Sequence, residues 1–284
     1  MQAELILDAR ATLGEGPAWD SKSGILYWVD ILEMRVYAGT EVLLQMDDFV
    51  GCLAPCKNGH LILGKRFSFV DLEPASGRTT DLASLDSELP SNRINDGKCD
   101  PMGRFLAGTM DMNEKDPTGS LYSFDGKQVT HLLDGIRISN GLAWSPDTKT
   151  FYYIDTPTRQ VRSFDYENQS GQISNTRAAI QIPESMGSPD GMTSDTQGNL
   201  WVAMWGGAQI TRWNPNTGKL LEQIPVPVLQ PSSCVFGGRG LNELYVTSAR
   251  KGLREADLKK YPLSGGLFRI RTKIEGMETF QFAG

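Results

Sequence analysis

Carboxylate or amide oxygens are carried by four residues that each precede a glycine at an equivalent, aligned place along the chain: Glu15, Asp96, Asn140 and Asp190. Such oxygens are hard ligands and suit Ca²⁺, Mg²⁺ or Mn²⁺, although Zn²⁺ also accepts carboxylate oxygens. Carboxylates brought into one pocket repel each other, and a divalent cation would neutralise them. Each Asp-Gly or Asn-Gly pair could instead be an ordinary turn. A metal site therefore follows only if the fold brings these residues together.

A second polar cluster, SNRINDG, covers residues 91–97. Arg93 offers fixed hydrogen-bond donors to a polyhydroxylated or anionic ligand, and Asn95 offers both a donor and an acceptor. The alternative is a surface loop with a solvated arginine. In an extended strand Asn95 and Asp96 point to opposite sides, so only one of them is expected to face a site there.

Histidine and cysteine chemistry is restricted by the residue counts. His60 and His131 are the only histidines, and both lie in strand-like runs, so a Ser-His-Asp hydrolase is not expected and a zinc site with three histidines is excluded. The four cysteines (Cys52, Cys56, Cys99 and Cys234) form no CxxC pair. We expect them to be buried free thiols in a reducing cytoplasm.

Composition excludes several other classes of protein. The 284 residues carry 28 Lys and Arg against 34 Asp and Glu, a net charge of −6, which argues against nucleic-acid binding. There is neither an apolar stretch of membrane-spanning length nor a visible secretory signal at the N-terminus. We therefore predict a cytoplasmic protein that acts on a small molecule, with no nucleic-acid or membrane partner.

An internal repeat organises the chain. A turn followed by a short apolar run recurs six times, at residues 23–29, 58–63, 102–107, 147–154, 197–202 and 241–246. Each copy is followed by a run with strand-like alternation. Each is also preceded by a run that aligns on a glycine, which only the sixth copy lacks. Dividing 284 residues by six gives about 47 per unit, enough for a four-stranded blade.

The repeat predicts an all-β, six-bladed β-propeller over 1–284, as a single domain and a monomer. The rival β/α barrel needs a helix after every strand, whereas helix-like patterns occur only at residues 82–89 and 254–261. Strand-like runs at residues 4–7 and 278–282 are expected to complete one blade together and so close the ring.

Residues at equivalent positions of the six repeats predict where a functional site would lie. The residues before the aligned position are Glu15, Val50, Asp96, Asn140, Asp190 and Ser233. Equivalent positions in a radial repeat lie at equal height, and the first strand of each blade lines the central channel. The four oxygen-bearing members are therefore predicted to converge at one mouth of the channel.

The sequence resembles the SMP-30/gluconolactonase/luciferin-regenerating family, and in places its bacterial sugar-lactonase branch. The matching motifs follow family order along nearly the whole chain: GEGP (14–17), NRINDGK (92–98), GRFLAGTM (103–110), ISNGLAWS (138–145), FYYID (151–155), PDG (189–191), GNLWVA (198–203), FGG (236–238) and LYVTSAR (244–250). The bacterial branch is indicated by ARKGL (249–253) and YPLSGG (261–266).

The resemblance implies a propeller with one divalent metal in the channel, held by Glu15, Asn140 and Asp190. It implies that Arg93 and Asn95 contact the substrate, and so favours Asn95 over Asp96 as the inward residue. A bulge or turn would allow this. Family members also carry a substrate-contacting Glu in the loop after the GTM motif. In the corresponding loop here, residues 111–118, no residue aligns securely with it. That loop and Trp205 are candidates for shaping the pocket.

The resulting hypothesis is a metal-dependent sugar lactonase. The cation polarises the lactone carbonyl, water attacks it, and Asp190 accepts a proton and later donates it to the leaving ring oxygen. Arg93 and Asn95 hold the sugar hydroxyls. Ca²⁺ is the first choice of metal, with Zn²⁺, Mn²⁺ and Mg²⁺ left open. The alternatives are a non-catalytic calcium-binding propeller and a metal-dependent esterase or organophosphate hydrolase, whose pocket should be more apolar.

Overall fold

The computed structural model describes residues 1–85 and 89–284. In these ranges the strands form six sheets of four strands each. The innermost strand of every sheet contacts the innermost strands of the two neighbouring sheets, which closes a ring. The fold is therefore the six-bladed β-propeller that the repeat predicts.

The first strand along the chain, β1 (Ala3–Leu7), belongs to the last blade. Blade 1 contains β2 (Gly14–Asp20), β3 (Ile25–Asp30), β4 (Arg35–Ala38) and β5 (Glu41–Gln45). Blade 2 contains β6 (Val50–Pro55), β7 (Leu61–Lys65), β8 (Ser68–Glu73) and β9 (Arg78–Ser84). Blade 3 contains β10 (Asn92–Cys99), β11 (Phe105–Asp111), β12 (Gly119–Phe124) and β13 (Val129–Ile136).

Blade 4 contains β14 (Ser139–Trp144), β15 (Thr150–Asp155), β16 (Gln160–Glu167) and β17 (Gln172–Gln181). Blade 5 contains β18 (Ser188–Ser194), β19 (Leu200–Trp205), β20 (Gln209–Asn214) and β21 (Lys219–Pro225). Blade 6 contains β22 (Pro231–Gly237), β23 (Glu243–Ser248), β24 (Leu267–Arg271) and β1. The helical segments are α1 (Glu255–Lys260) and the 3₁₀ turns Thr156–Thr158 and Glu184–Met186. No helix in the described ranges has the length and apolar character needed to cross a membrane.

The aligned glycines of the repeat lie where the innermost strands crowd together near the axis. A Cβ on Gly51 would come within 2.3 Å of the Ile94 carbonyl oxygen, and one on Gly191 within 2.0 Å of Ser233 Oγ. Neither contact is possible for a real side chain. The glycines that set the sequence alignment are therefore required by close packing around the channel.

Apolar side chains pack between neighbouring sheets and hold the blades together. Phe69 of blade 2 meets Phe105 of blade 3 edge-on, with ring centroids 5.5 Å apart, and Trp201 of blade 5 meets Phe236 of blade 6 in the same way at 5.3 Å. Such edge-to-face pairs add to the stabilisation that burial gives. All four cysteines are buried and unpaired, as expected.

Ring closure differs in part from the prediction. Strand β1 does complete the last blade, but it pairs with β24, with Ala3 opposite Ile270. Residues 278–282 form no strand of this blade. Instead, Phe282 makes an isolated bridge to Cys56, and Phe280 lies with Trp144 and Lys98 around a small cavity. The C-terminal tail lies across one end of the channel, where its aromatic residues pack against apolar side chains of the blades.

The two predicted helices have different outcomes. The pattern at residues 254–261 is confirmed by α1. The helix predicted at residues 82–89 is wrong for its first part, because β9 runs to Ser84 and pairs Ala83 with Phe69. Leu82 is exposed and Leu85 buried, so their helix-like spacing arises from the end of an edge strand. Residues 86–88 lie outside the described residues.

Candidate functional site

A cavity of about 470 Å³ opens at one mouth of the channel, away from the C-terminal tail. All five predicted site residues line it: Glu15, Arg93, Asn95, Asn140 and Asp190. They come from the innermost strands of blades 1, 3, 4 and 5. Each is at least nine-tenths buried, so the cavity floor is built from polar groups that the fold withdraws from bulk water.

A β-bulge decides between Asn95 and Asp96. In the pairing of β10 with β11, Ile94 stands opposite Thr109 and Asp96 opposite Gly108, which leaves Asn95 as the extra residue. The bulge turns Asn95 into the cavity. Asp96, which the repeat register nominated, does not line the cavity and instead accepts a hydrogen bond from the Gly97 backbone N–H at 2.7 Å. Of the four register residues, Asp96 is thus the one that does not line the cavity, although its charge acts on both Glu15 and Asp190.

Asn95 links the arginine to the predicted metal ligands. Its Oδ1 accepts a hydrogen bond from Arg93 Nη1 at 2.6 Å. Its Nδ2 donates to the Ser139 carbonyl oxygen at 2.8 Å and to Asn140 Oδ1 at 3.0 Å. Because both amide hydrogens are used within the protein, Asn95 has only acceptor capacity left for a ligand.

Thr156 fixes the orientation of the Asn140 amide. Asn140 Nδ2 donates to Thr156 Oγ1 at 2.8 Å, and that hydroxyl donates to the Pro189 carbonyl oxygen at 2.8 Å. With its NH₂ group held by Thr156, Asn140 keeps its oxygen toward Asn95 and the cavity. An oriented amide oxygen is a suitable ligand for a hard cation.

The two buried carboxyls of the cavity, Glu15 and Asp190, are electrostatically unfavourable as charged groups. Burial, followed by the charges of Asp190 and Asp96, raises the pKa of Glu15 well above its ordinary value. Burial, followed by the charge of Asp96, does the same to the pKa of Asp190. Arg93 offsets this in part, because burial lowers the pKa of its guanidinium only to about 10 and it stays charged at neutral pH.

The donor set fits a divalent cation. Glu15 and Asp190 supply carboxylate oxygens and Asn140 supplies an amide oxygen. All three residues line the same cavity. Within the described residues no cluster of three or more His, Cys, Asp or Glu side chains has metal-binding geometry. A cation here would thus depend on the amide as the third protein ligand, and its charge would relieve the repulsion between the carboxylates.

Glu114 is the residue of the loop at 111–118 that reaches the cavity. Asp111 shapes this loop, since its carboxylate accepts hydrogen bonds from the backbone N–H groups of Asn113 and Lys115, each at 3.2 Å. The Glu114 carboxylate pairs with Lys251 Nζ, which comes from the segment after β23 in blade 6. Trp205, at the end of β19, also lines the cavity.

Sequence reasoning did not nominate several of the polar lining residues: Thr156, Ser188, Gln230 and Lys251. Thr156 follows FYYID directly, so its position after the second strand of a blade could have suggested it. Lys251 occupies a comparable place after the second strand of blade 6. Gln230 precedes an innermost strand and has no signal in the repeat register.

Comparison with known proteins agrees with this architecture. Residues 13–250 match the family model described as an SMP-30/Gluconolactonase/LRE-like region. Regucalcin of Oryctolagus cuniculus is 39% identical over 299 aligned positions, covering 100% of this chain and 99% of the relative. YvrE of Bacillus subtilis (strain 168), provisionally named a sugar lactone lactonase, is 37% identical over 291, with the same coverage.

A solved structure of regucalcin from Agrobacterium tumefaciens, described as a calcium-binding protein, superposes with a TM-score of 0.93 at 28% identity. The superposition covers 98% of this chain and 96% of that one. The family match extends over most of the chain and includes the strands that carry all five predicted site residues. The chain belongs to the SMP-30/gluconolactonase/LRE-like family.

Proposed function

We propose that this protein hydrolyses an aldonolactone of the gluconolactone type to the aldonic acid, with one divalent cation held by Glu15, Asn140 and Asp190. The observation that carries the proposal is the meeting of two buried carboxyls, an oriented amide oxygen and a buried arginine in one cavity. Membership of a family that includes gluconolactonases, and the similarity to YvrE, support hydrolysis of a lactone.

Asp190 is the proposed proton carrier. When water attacks the lactone carbonyl carbon, Asp190 accepts the proton that the water loses. The bond between that carbon and the ring oxygen then breaks, and Asp190 returns the proton to the departing oxygen, so the aldonic acid forms without any other reactant.

Arg93 is the proposed substrate clamp. Its Nη1 is committed to Asn95 and to the Ile94 carbonyl oxygen, so its remaining N–H groups are those available to sugar hydroxyls. Asn95 holds the guanidinium in place and offers its remaining oxygen lone pair. When bound, the divalent cation would supply Lewis-acid polarisation of the carbonyl. Ca²⁺ is the first choice, in line with the solved calcium-binding relative.

The test is lactone hydrolysis followed with a pH indicator. Chelated protein is assayed with glucono-, galactono-, xylono-, arabinono- and rhamnonolactone, and Ca²⁺, Mn²⁺, Mg²⁺ or Zn²⁺ is then restored singly. We expect acid release that disappears on chelation and returns with at least one cation. Full activity after verified removal of the cation would overturn the metal dependence.

A second candidate function is cation binding without turnover, which the regucalcin relatives favour. The same experiment separates the two functions when calorimetry with Ca²⁺ is added. A protein that binds the cation in this cavity but hydrolyses no lactone and no aryl ester would have the binding function. Hydrolysis of aryl esters alone would instead favour the esterase alternative.

A further inference from the structure

Gln230 carries an amide that the protein itself does not use. The side chain lines the cavity and is 8% exposed, and its Oε1 is buried with no hydrogen-bond partner. Among the described residues, no partner for its Nε2 occurs either. A buried unpaired polar group costs stability, so its presence in a folded protein calls for a reason.

The backbone around Gln230 is held firmly. Its carbonyl oxygen accepts a hydrogen bond from the Ala249 N–H at 3.0 Å. The following Pro231 restricts Gln230 to extended conformations, and Ser232 Oγ donates to the Gly14 carbonyl oxygen at 2.5 Å. The amide is thus unpaired on a rigid support, and a loosely placed loop does not explain its lack of partners.

Gln230 also lies opposite the proposed substrate clamp. Arg93 and Asn95 belong to blade 3, whereas Gln230 immediately precedes the innermost strand of blade 6. These blades are three places apart in a ring of six, so they face each other across the channel. On that side of the cavity Lys251 is already paired with Glu114, whereas the unpaired Gln230 amide keeps its hydrogen-bonding capacity for a polyhydroxylated ligand.

We propose that Gln230 is a substrate-positioning residue that binds a hydroxyl group of the lactone on the side facing blade 6. A half-turn of the terminal amide exchanges its oxygen and NH₂ group, so it can accept from or donate to that hydroxyl. This inference rests on the proposed lactonase function and names what the site selects: a lactone hydroxylated at the end away from Arg93.

The experiment compares two lactones in wild type and Gln230→Met, a substitution of similar length that cannot form the hydrogen bond. The substrates are glucono-1,5-lactone and δ-valerolactone, which has the ring ester but no hydroxyl groups. We expect the KM for gluconolactone to rise about tenfold, the effect of losing one hydrogen bond of about 1.4 kcal/mol. The KM for δ-valerolactone should not change.

A structural role predicts a different result. Equal loss with both lactones, or no change with either, would overturn the assignment. Gln209→Met is the matched control, since the Gln209 amide donates to the Met186 carbonyl oxygen at 3.2 Å and does not line the cavity. If Gln230→Met does not fold, Gln230→Ala should give the same selective loss.

Thermal unfolding gives a second readout. Because Gln230→Met removes an unpaired buried polar group, its melting temperature should equal or exceed that of wild type while the KM rises. A variant that loses both stability and affinity would contradict the proposal. If the wild-type protein is active and Gln230→Met has the same kinetics, only the role of Gln230 is overturned. If the wild-type protein hydrolyses none of the lactones, the proposed function is overturned as well.

Discussion

The two ends of strand β18 carry carboxylates in opposite situations. Asp195, directly after the strand, is fully buried and accepts four hydrogen bonds, from the N–H groups of Gln197 and Asn199, from Trp201 Nε1 and from Arg212 Nε. Asp190 lies in the same strand at the end near the cavity, and its carboxylate accepts a hydrogen bond from the Gly191 backbone N–H. A carboxylate accepts about four hydrogen bonds, so Asp195 is saturated and Asp190 is not.

Strand β10 repeats the contrast. Asp100, directly after it, accepts hydrogen bonds from the backbone N–H groups of Met102 and Arg104, from Arg104 Nε and from the Tyr166 hydroxyl. At its other end, the Arg93–Asn95 pair keeps free hydrogen-bonding capacity toward the cavity. Burial alone therefore does not distinguish the cavity residues from the structural carboxylates of this fold, whereas unused hydrogen-bonding capacity beside the cavity does.

The largest expected effect comes from Asp190→Asn, which keeps the shape and removes the charge. We expect turnover to fall at least a thousandfold, about 4 kcal/mol in the activation free energy, because the proton carrier is lost and the cation site loses one negative charge. The chelated variant should be at least as stable as chelated wild type. Asp165→Asn, at an exposed ion pair, serves as the control for kinetics. Substantial residual turnover would remove Asp190 from the mechanism.

Asp195→Ala should act on stability. Losing the carboxylate leaves the buried Arg212 guanidinium and the Trp201 N–H without that partner, which should cost about 3 to 5 kcal/mol of unfolding free energy. Urea denaturation measures the loss. The folded fraction should keep the wild-type KM. A change below about 1 kcal/mol would show that the saturated carboxylate is not structural.

Cation and pH should affect the chelated protein in a defined direction. The raised pKa values of Glu15 and Asp190 mean that the native state holds more protons than the unfolded state above about pH 4. Unfolding free energy should therefore fall as pH rises from there toward the folded-state pKa values. A cation at a hundred times its Kd should restore about 2.7 kcal/mol. Thermal melts across pH 5–8 with and without Ca²⁺ measure both effects, and a chelated protein that gains stability over this range would contradict them.

The smallest effect is expected at the Glu114–Lys251 pair, whose side chains are partly exposed. Lys251→Met should cost less than about 1 kcal/mol of unfolding free energy, because exposed ion pairs contribute little. A double-mutant cycle with Glu114→Gln measures the coupling between them. A coupling free energy well above about 1 kcal/mol would show that this ion pair stabilises the fold, as Asp195 and Asp100 are expected to do.

The inner three strands of the blades could be predicted from the sequence because turns, apolar runs and glycines recur in them at equivalent positions, and nearly all of their residues are buried. The outermost strands gave no such signal: β9 is almost entirely exposed, as are most residues of β17 and β21. Glu15, Asn140 and Asp190 followed from the repeat register. Asn95 needed the family resemblance, since a bulge breaks strand alternation.

Glu114, Lys251 and Gln230 show where sequence reasoning stops at the site. Glu114 is positioned by turn geometry that depends on Asp111 accepting backbone hydrogen bonds. Lys251 meets Glu114 only because blades 3 and 6 face each other over the channel. Such contacts depend on three-dimensional placement of loops, which neither periodicity nor motif spacing encodes.

The pairing of β1 with β24 has a consequence for how the protein is made. Ala3 is synthesised long before its partner Ile270, which follows 267 residues later in the chain. Blades 1 to 5 can each form from consecutive strands as they emerge, whereas blade 6 must wait. Long-range pairings of this kind slow folding. The closure of the sixth blade should thus be the late step, and a nascent chain arrested before residue 267 would expose the edges of an open ring.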